Sequence, residues 1–261
     1  MFRSHCWVQN EPSKGGKSMK KLLSCGLSGL FILGLLILPG SSQNTDEILE
    51  RVIKAQGGRE LLENIKDVTT IADMGIIQMG ISGYVTIYMK EPNKVRLDME
   101  FMGMIVTNAF DGKTAWGIDP QTGIAENMPE ELAEVMRHSS FGNSAFLDPA
   151  KYGIKYTYKG KENIEDKDYL VLDQVHSGGY TIALYIDPET YLIYKMKQDS
   201  FDEMMTKIVE ETIMSDYKKV EGVMTAHVLT ILRDGTEFGT LTVTDVDFNS
   251  GLEDSFFKKE E

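Results

Sequence analysis

The chain has 261 residues, with 40 Asp and Glu against 27 Lys and Arg, and a net charge of −13. So acidic a surface repels nucleic-acid phosphates and anionic lipid headgroups, and no nucleic-acid partner is expected. The two cysteines, Cys6 and Cys25, both lie near the N-terminus, so the rest of the chain has no disulfide, thiol nucleophile or cysteine–metal site.

In chain order, Lys20-Lys21 precedes an apolar run from Leu22 to Leu38, and Pro39, Gly40, Ser41 and Ser42 follow. A basic start, an apolar middle and small residues at the end make a secretory signal peptide. Cleavage is expected after Ser42. Met19 is an alternative start, with residues 1–18 as an upstream extension. The rival reading of the same run is an uncleaved anchor helix, at the short limit for spanning a bilayer. The expected organisation is a signal peptide over 1–42 and one domain over 43–261. That domain is placed in the periplasm or, on the rival reading, tethered to a membrane.

Asp46 to Ala55 reads as a helix, with Ile48, Leu49, Val52 and Ile53 in a stripe and Thr45 or Asp46 as cap. Gly57-Gly58 ends it. Arg59 to Ile65 is a second short helix. Strands are expected at about 67–79 and 82–90. The segment Pro92–Gly123 then spells three antiparallel strands. Val95, Leu97, Met99 and Phe101 alternate with Lys94, Arg96, Asp98 and Glu100, the period of a sheet with one apolar face. Met104, Val106, Asn108 and Phe110 resume that alternation, and Asp111-Gly112 is a hairpin turn. Thr114, Trp116 and Ile118 form the next face, with a short strand near Ile124.

Pro129 to Phe141 is the one helix expected inside the sheet, with Leu132, Val135 and Met136 at helical spacing and Pro129 in its first turn. A loop is expected from Gly142 to Pro149. Strands resume at about 153–159, 168–176, 180–187, 190–198, 206–217, 223–232 and 237–248. The end is irregular or a short helix, with Phe256 and Phe257 docking. About eleven strands of this length would aggregate as a flat sheet, so the sheet is expected to curl around its helices. The fold class is mainly β with a few helices (α+β).

The segments ILERVIKAQGGRELLENIKDVTT, PNKVRLD, FDGKTAWGIDPQTG, YIDPETYLIYKM, SDYKKVEGVMTAHVL and VTDVDFNSGLEDSFF follow one another over nearly all of 43–261. In this order they resemble the outer-membrane lipoprotein-sorting proteins. That family is similar in fold to the periplasmic lipoprotein carrier and its outer-membrane receptor. The resemblance implies a half-open antiparallel barrel whose concave face is covered by helices, and an apolar cavity for acyl chains. It also implies that Arg96, which ends the PxxxR pattern of PNKVR, is a latch hydrogen-bonded to the helical lid.

The candidate cavity wall is Met89, Met99, Phe101, Met104, Phe110, Trp116, Leu132 and Met136. Methionine is flexible and polarizable, which suits a surface accepting variable apolar ligands, and Met74, Met79 and Met102 add to the crowd. Phe110 and Trp116 are expected on one face. Which face is concave is left open by the alternation: if Val95 and Leu97 face inward, Arg96 faces outward.

No catalytic constellation, metal-ligand spacing or cofactor motif is present in the sequence. His138, His176 and His227 read as surface or satisfied core residues. The expected function is an exported, non-enzymatic carrier of a lipid or of lipoprotein acyl chains. Its partners would be the cargo and envelope donor and acceptor proteins, and it is expected to be a monomer. One alternative is an envelope hydrolase, or an accessory domain of one, using Asp98, Glu100 and Asp245. Another is an interaction module without a cavity.

Overall fold

The computed structural model describes residues 42–202 and 204–259. Residues 1–41 of the expected signal peptide, with the alternative start, lie outside the described residues. Among the described residues no helix is long and apolar enough to cross a membrane.

Thirteen strands form one antiparallel sheet. They are β1 (Asp67–Ile76), β2 (Ile81–Lys90), β3 (Lys94–Phe101), β4 (Met104–Phe110), β5 (Ala115–Ile118), β6 (Ala125–Asn127), β7 (Lys155–Ile164), β8 (Lys167–Val175), β9 (Thr181–Ile186), β10 (Ile193–Phe201), β11 (Lys207–Val220), β12 (Val223–Arg233) and β13 (Thr236–Phe248). The spatial order is β6-β5-β4-β3-β2-β1-β13-β12-β11-β10-β9-β8-β7. The chain therefore runs outward from β1 to one edge, crosses by helices to the other edge, and returns until β13 pairs with β1. The expected strands, the short one near Ile124 included, are all present, and they come to thirteen rather than about eleven.

Four α-helices are described: α1 (Ser42–Gln56), α2 (Arg59–Asn64), α3 (Glu130–Ser139) and α4 (Ser144–Leu147). α4 and a 3-10 turn at Pro149–Tyr152 occupy the segment expected as a loop. A distant carboxylate explains the start of α4. Glu91, in the β2–β3 turn, accepts from the backbone N–H groups of Asn143 (2.6 Å) and Ser144 (3.1 Å), and from the Ser144 hydroxyl. These are the donors that a first helical turn leaves unpaired. Thr45 lies within α1 rather than capping it, and its buried hydroxyl accepts from the backbone N–H of Tyr158 on the edge strand β7.

The direction of curl follows from α3, which touches β4 and β5 on one side and β10 on the other. β4 and β10 are seven places apart in the sheet. On a flat sheet that is about 34 Å, whereas ten residues of helix span about 15 Å. The sheet must curl towards α3 to bring both within its reach. α3 buries Ala133 against Val95, Phe110 and Ala115, so the face carrying Val95 is the concave one. The result is an unclosed half-barrel.

Two of the helices and α4 fill one arm of it. Ile48, Leu49, Val52 and Ile53 of α1, Leu62 of α2 and Ala145 of α4 pack on Leu170, Leu172, Ile182, Leu184 and Ile186. Arg51 fixes α1 to the β9–β10 turn, with its Nη1 donating to the Tyr191 hydroxyl at 2.8 Å and its guanidinium 5.0 Å from that ring.

Candidate functional site

Directly paired residues of adjacent strands point to the same side, so register identifies the concave lining. Leu229 pairs with Leu241, Leu241 with Met74, Ala72 with Val85, and Val85 with Met99. Ala72, Val85, Leu241, Val243 and Val246 are buried. Met74, Ile87, Met99, Leu229 and Ile231 pack on them and are only half-buried. This strip, on β12, β13, β1, β2 and β3, lies between the arm filled by α1, α2 and α4 and the region under α3. Its packing partners are residues of the sheet itself.

A cleft of about 120 Å³ opens at one end of the lining, bounded by Ile65, Val68, Met89 and Asn143. Towards the β10–β11 turn the lining becomes polar. Glu210 sits directly across from Arg233, and Gln198 Nε2 is 3.5 Å from its carboxylate. Burial holds the Glu210 carboxyl above its usual range, against the opposing pull of Arg233 and Gln198.

α3 closes over the hollow beside this strip. At its foot Met128 and Met136 pack with Met89, Leu97 and the buried Phe110. Near its far end His138 stacks on Tyr180 with centroids 4.8 Å apart, and lies 4.6 Å from the His176 ring. The Gln174 amide nitrogen is 2.8 Å from His176 Nε2, and the Gln174 oxygen accepts from the buried Tyr156 hydroxyl at 2.8 Å. With the Gln174 amide so oriented, His176 accepts at Nε2 and is neutral. Burial, and then the neighbouring His138, push the His176 pKa down to about 4. Burial also lowers His138; Glu134 opposes this and Arg137 adds to it. Both are buried, His176 with a hydrogen-bond partner and His138 held by ring contacts, and together they clasp α3 to the β8–β9 turn.

Seven of the eight expected wall residues divide into four groups. Met99 and Phe101 line the concave face, half-buried; Met89 does so at the edge of the small cleft. Phe110 and Met136 form the contact between sheet and α3. Leu132 is half-buried on α3, where Ala133 is the residue buried against Phe110. Met104 is 54% exposed at the rim, on the tip of the β3–β4 hairpin.

Trp116 is on the other side of the sheet. Phe110 pairs with Ala115, and Trp116 pairs with Ala109, so the two aromatics are on opposite faces. Trp116 is buried under the C-terminal 3-10 turn (Asp254–Phe257), and its indole N–H donates to the Phe257 carbonyl at 2.9 Å.

Arg96 is on the convex face as well. Its Nε donates to Asp98 at 3.0 Å and its Nη1 to the Phe256 carbonyl at 3.2 Å, with the guanidinium 4.5 Å from the Phe256 ring. The contacts of Arg96 therefore secure the C-terminal tail, not α3. Lys90 and Lys94 hold Asp254 at 2.8 Å each, and Asp67 accepts from Ser250, Gly251 and Leu252. The docking of Phe256 and Phe257 was legible as apolar residues at the terminus; the receiving face was not.

The carboxylates of the hydrolase alternative do not meet. Asp98, Thr86, Ile71 and Asp245 form one row across four strands, which separates Asp98 from Asp245 by three strand spacings, about 14 Å. Asp98 is engaged by Arg96 and by the Thr107 hydroxyl at 2.7 Å.

No family model matches the chain, and no curated protein does. The fold is similar to solved structures at low identity. A LolA superfamily protein from Nitrosomonas europaea superposes with a TM-score of 0.57 at 13% identity, covering 82% of this chain and 97% of that one. An outer membrane lipoprotein-sorting protein domain from Vibrio parahaemolyticus gives 0.55 at 14% identity, over 83% and 97%. A DUF1329 family protein from Desulfovibrio piger gives 0.54 at 13% identity, over 82% and 97%. At these identities the likeness establishes the architecture: the half-barrel implied by the sequence motifs is the one observed.

Proposed function

We propose that this chain is an exported carrier that shields the acyl chains of a lipid or lipoprotein against the concave face of the half-barrel. The observation that carries the reading is the half-buried apolar strip of Met74, Ile87, Met99, Leu229 and Ile231 between two helix-covered regions. Each methylene removed from water contributes roughly 0.8 kcal/mol, so a chain of ten carbons laid along the strip is strongly held without any charged contact. Two fold neighbours described as lipoprotein-sorting or LolA superfamily proteins support the same kind of ligand. The apolar run at Leu22–Leu38 supports export to the periplasm.

In this reading α3 is the lid. Its foot rests on Met89 and Phe110 and its far end on the His176–Tyr180 clasp. Releasing the clasp lengthens the strip by uncovering Met89, Leu97 and Phe110. Residues 43–261 act as one domain. Donor and acceptor proteins in the envelope would load and unload it.

Native mass spectrometry with lipid extraction, on protein purified from the envelope, is the test. Co-purified lipid and saturable binding of an apolar fluorescent probe are expected, with probe affinity falling at least about tenfold in Leu229→Asp, whose charge would be desolvated by the ligand. Recovery of no lipid, together with no probe binding, sinks the carrier reading.

A further inference from the structure

The apolar strip of the concave face ends in a charged row. Strand register lays the inward-facing rows out in order. Met214, Leu229 and Leu241 pair across β11, β12 and β13. The next row is Met196, Thr212 and Ile231 on β10, β11 and β12, and the one after it is Gln198, Glu210 and Arg233 on the same strands. Two residues of strand, about 7 Å, separate each row from the next. Gln198, Glu210 and Arg233 are all half-buried.

A charge pair that merely ties strands together sits on the convex face, as Lys195 and Glu211 do at 2.9 Å. On the concave face a charge loses its water whenever an apolar ligand covers the strip, which is costly unless the ligand supplies a partner. The two ends of the row ask for different partners. At one end, Gln198 Oε1 is buried and has no hydrogen-bond partner among the described residues. The Gln198 amide nitrogen is 3.5 Å from the Glu210 carboxylate, at the outer limit of a hydrogen bond. Tyr180 closes that end, its hydroxyl donating to the Asp199 carbonyl at 2.8 Å. Burial, and then Glu210, Asp199 and Glu134, hold this hydroxyl above its usual range, so the surroundings are negative. At the other end the Arg233 guanidinium lies 3.6 Å from the centre of the Phe238 ring and presents a fork of N–H donors.

We propose that this row binds the head of the ligand, a zwitterionic ammonium–phosphate group, with the ammonium donating to Glu210 and Gln198 Oε1 and the phosphate accepting from Arg233. An ammonium has three donors and no acceptor, and so supplies what the Gln198 and Glu210 end lacks. Glu210 and Arg233 stand on adjacent strands, roughly 4.8 Å apart, and the ethylene bridge of a phosphoethanolamine head holds its charges at a similar separation. A choline head has the same charges but no N–H donor, and leaves Gln198 Oε1 unpaired. A glycerol head has no cation, and the net charge of −13 disfavours its phosphate further. From the row the acyl chain runs over Ile231 and then Leu229, about 7 and 14 Å away. The proposal rests on the acyl-chain reading and adds to it the head group selected and the direction in which the ligand lies.

The test is displacement of the apolar fluorescent probe from the full chain by single-chain phospholipids of one acyl length, below their micellar concentrations. The ethanolamine head should displace the probe at a concentration at least about tenfold lower than the choline or glycerol head. Free phosphoethanolamine, which lacks the chain, should displace nothing; displacement by it overturns the assignment to a lipid head. Glu210→Gln should bring the ethanolamine preference to within about twofold of unity, and Glu211→Gln, one residue along on the convex face, should retain it. Far-UV circular dichroism and urea midpoints check that both variants are folded. Gln198→Leu removes the acceptor without removing a charge, and should lower the ethanolamine-over-choline ratio as well. Equal displacement by the three heads, or a preference that survives in both Glu210→Gln and Gln198→Leu, overturns the proposal and leaves the carrier reading standing. A wild-type chain that binds no probe overturns the carrier reading, and the proposal with it.

Discussion

Two regions of the same concave face are finished in opposite ways. Over β8 and β9 the sheet presents Leu170, Leu172, Ile182, Leu184 and Ile186, and α1, α2 and α4 bury them to 8% exposure or less. Over β12, β13, β1, β2 and β3 the lining includes Met74, Met99, Leu229 and Ile231, and it stays half-buried. Branched side chains with few rotamers occupy the closed region. Methionines, which fill irregular spaces without a fixed shape, are set along the open one. The contrast teaches that the half-barrel is not uniformly a container. One arm is a conventional core that holds the sheet in its curl, and this leaves the middle of the face available.

The largest expected effect breaks the closed side. Leu172→Ala removes a fully buried side chain beneath the helices and should cost about 2–5 kcal/mol in urea unfolding. Probe affinity in the surviving folded fraction should be unaltered. A cost near zero would mean that the arm is as loosely packed as the open strip.

Next comes the clasp between them. His176 is held neutral down to about 4, whereas an unfolded histidine takes its proton near 6.5. Between those values the folded protein binds fewer protons than the unfolded chain, so stability is full above about 6.5 and falls as the pH is lowered towards 4. The loss is on the order of 3 kcal/mol at most. Urea midpoints measured across this range should fall, and His176→Gln should flatten most of the slope. An unchanged slope in that variant would assign the acid sensitivity to His138 or to other groups.

A smaller effect is expected on the convex side. Arg96→Leu removes a hydrogen bond to the Phe256 carbonyl and a cation–ring contact, for about 1–2 kcal/mol. Amides of the C-terminal tail should exchange faster, and the rate of ligand release should not change. Slower release would restore the latch role that the PxxxR resemblance implies.

The smallest effect is at the open strip. Met99→Leu conserves volume and should alter stability by less than about 1.5 kcal/mol. The stiffer side chain should narrow the range of acyl lengths bound, measured with a series of fatty-acid probes. An unaltered length profile would place Met99 outside the ligand's path.

The strands, the two N-terminal helices and α3 were legible in residues 43–261 because period-2 and period-3.6 alternation, glycine turns and proline starts act over a few residues. The same locality explains the misses. α4 depends on Glu91, some fifty residues away, and no local signal announces it. Trp116 was grouped with Phe110 by apolar character, yet Ala115 beside it takes the concave position and Trp116 the convex one. A residue's hydrophobicity does not identify which of two covered faces it serves when both faces are packed.

By itself the sequence determined the alternation of Val95, Leu97, Met99 and Phe101 and hence one continuous greasy face. It also determined that the strands follow one another as two meanders, joined within each by short turns and separated by the helix expected at Pro129–Phe141. Only the tertiary structure decided that this face is concave. That decision requires α3 to touch β4 and β10 at once, a contact across seven strand positions that local pairing leaves undetermined. It also decided the place of Arg96. Once Val95 faces inward, the adjacent side chain in a strand faces outward, and the guanidinium meets the C-terminal tail instead of the lid.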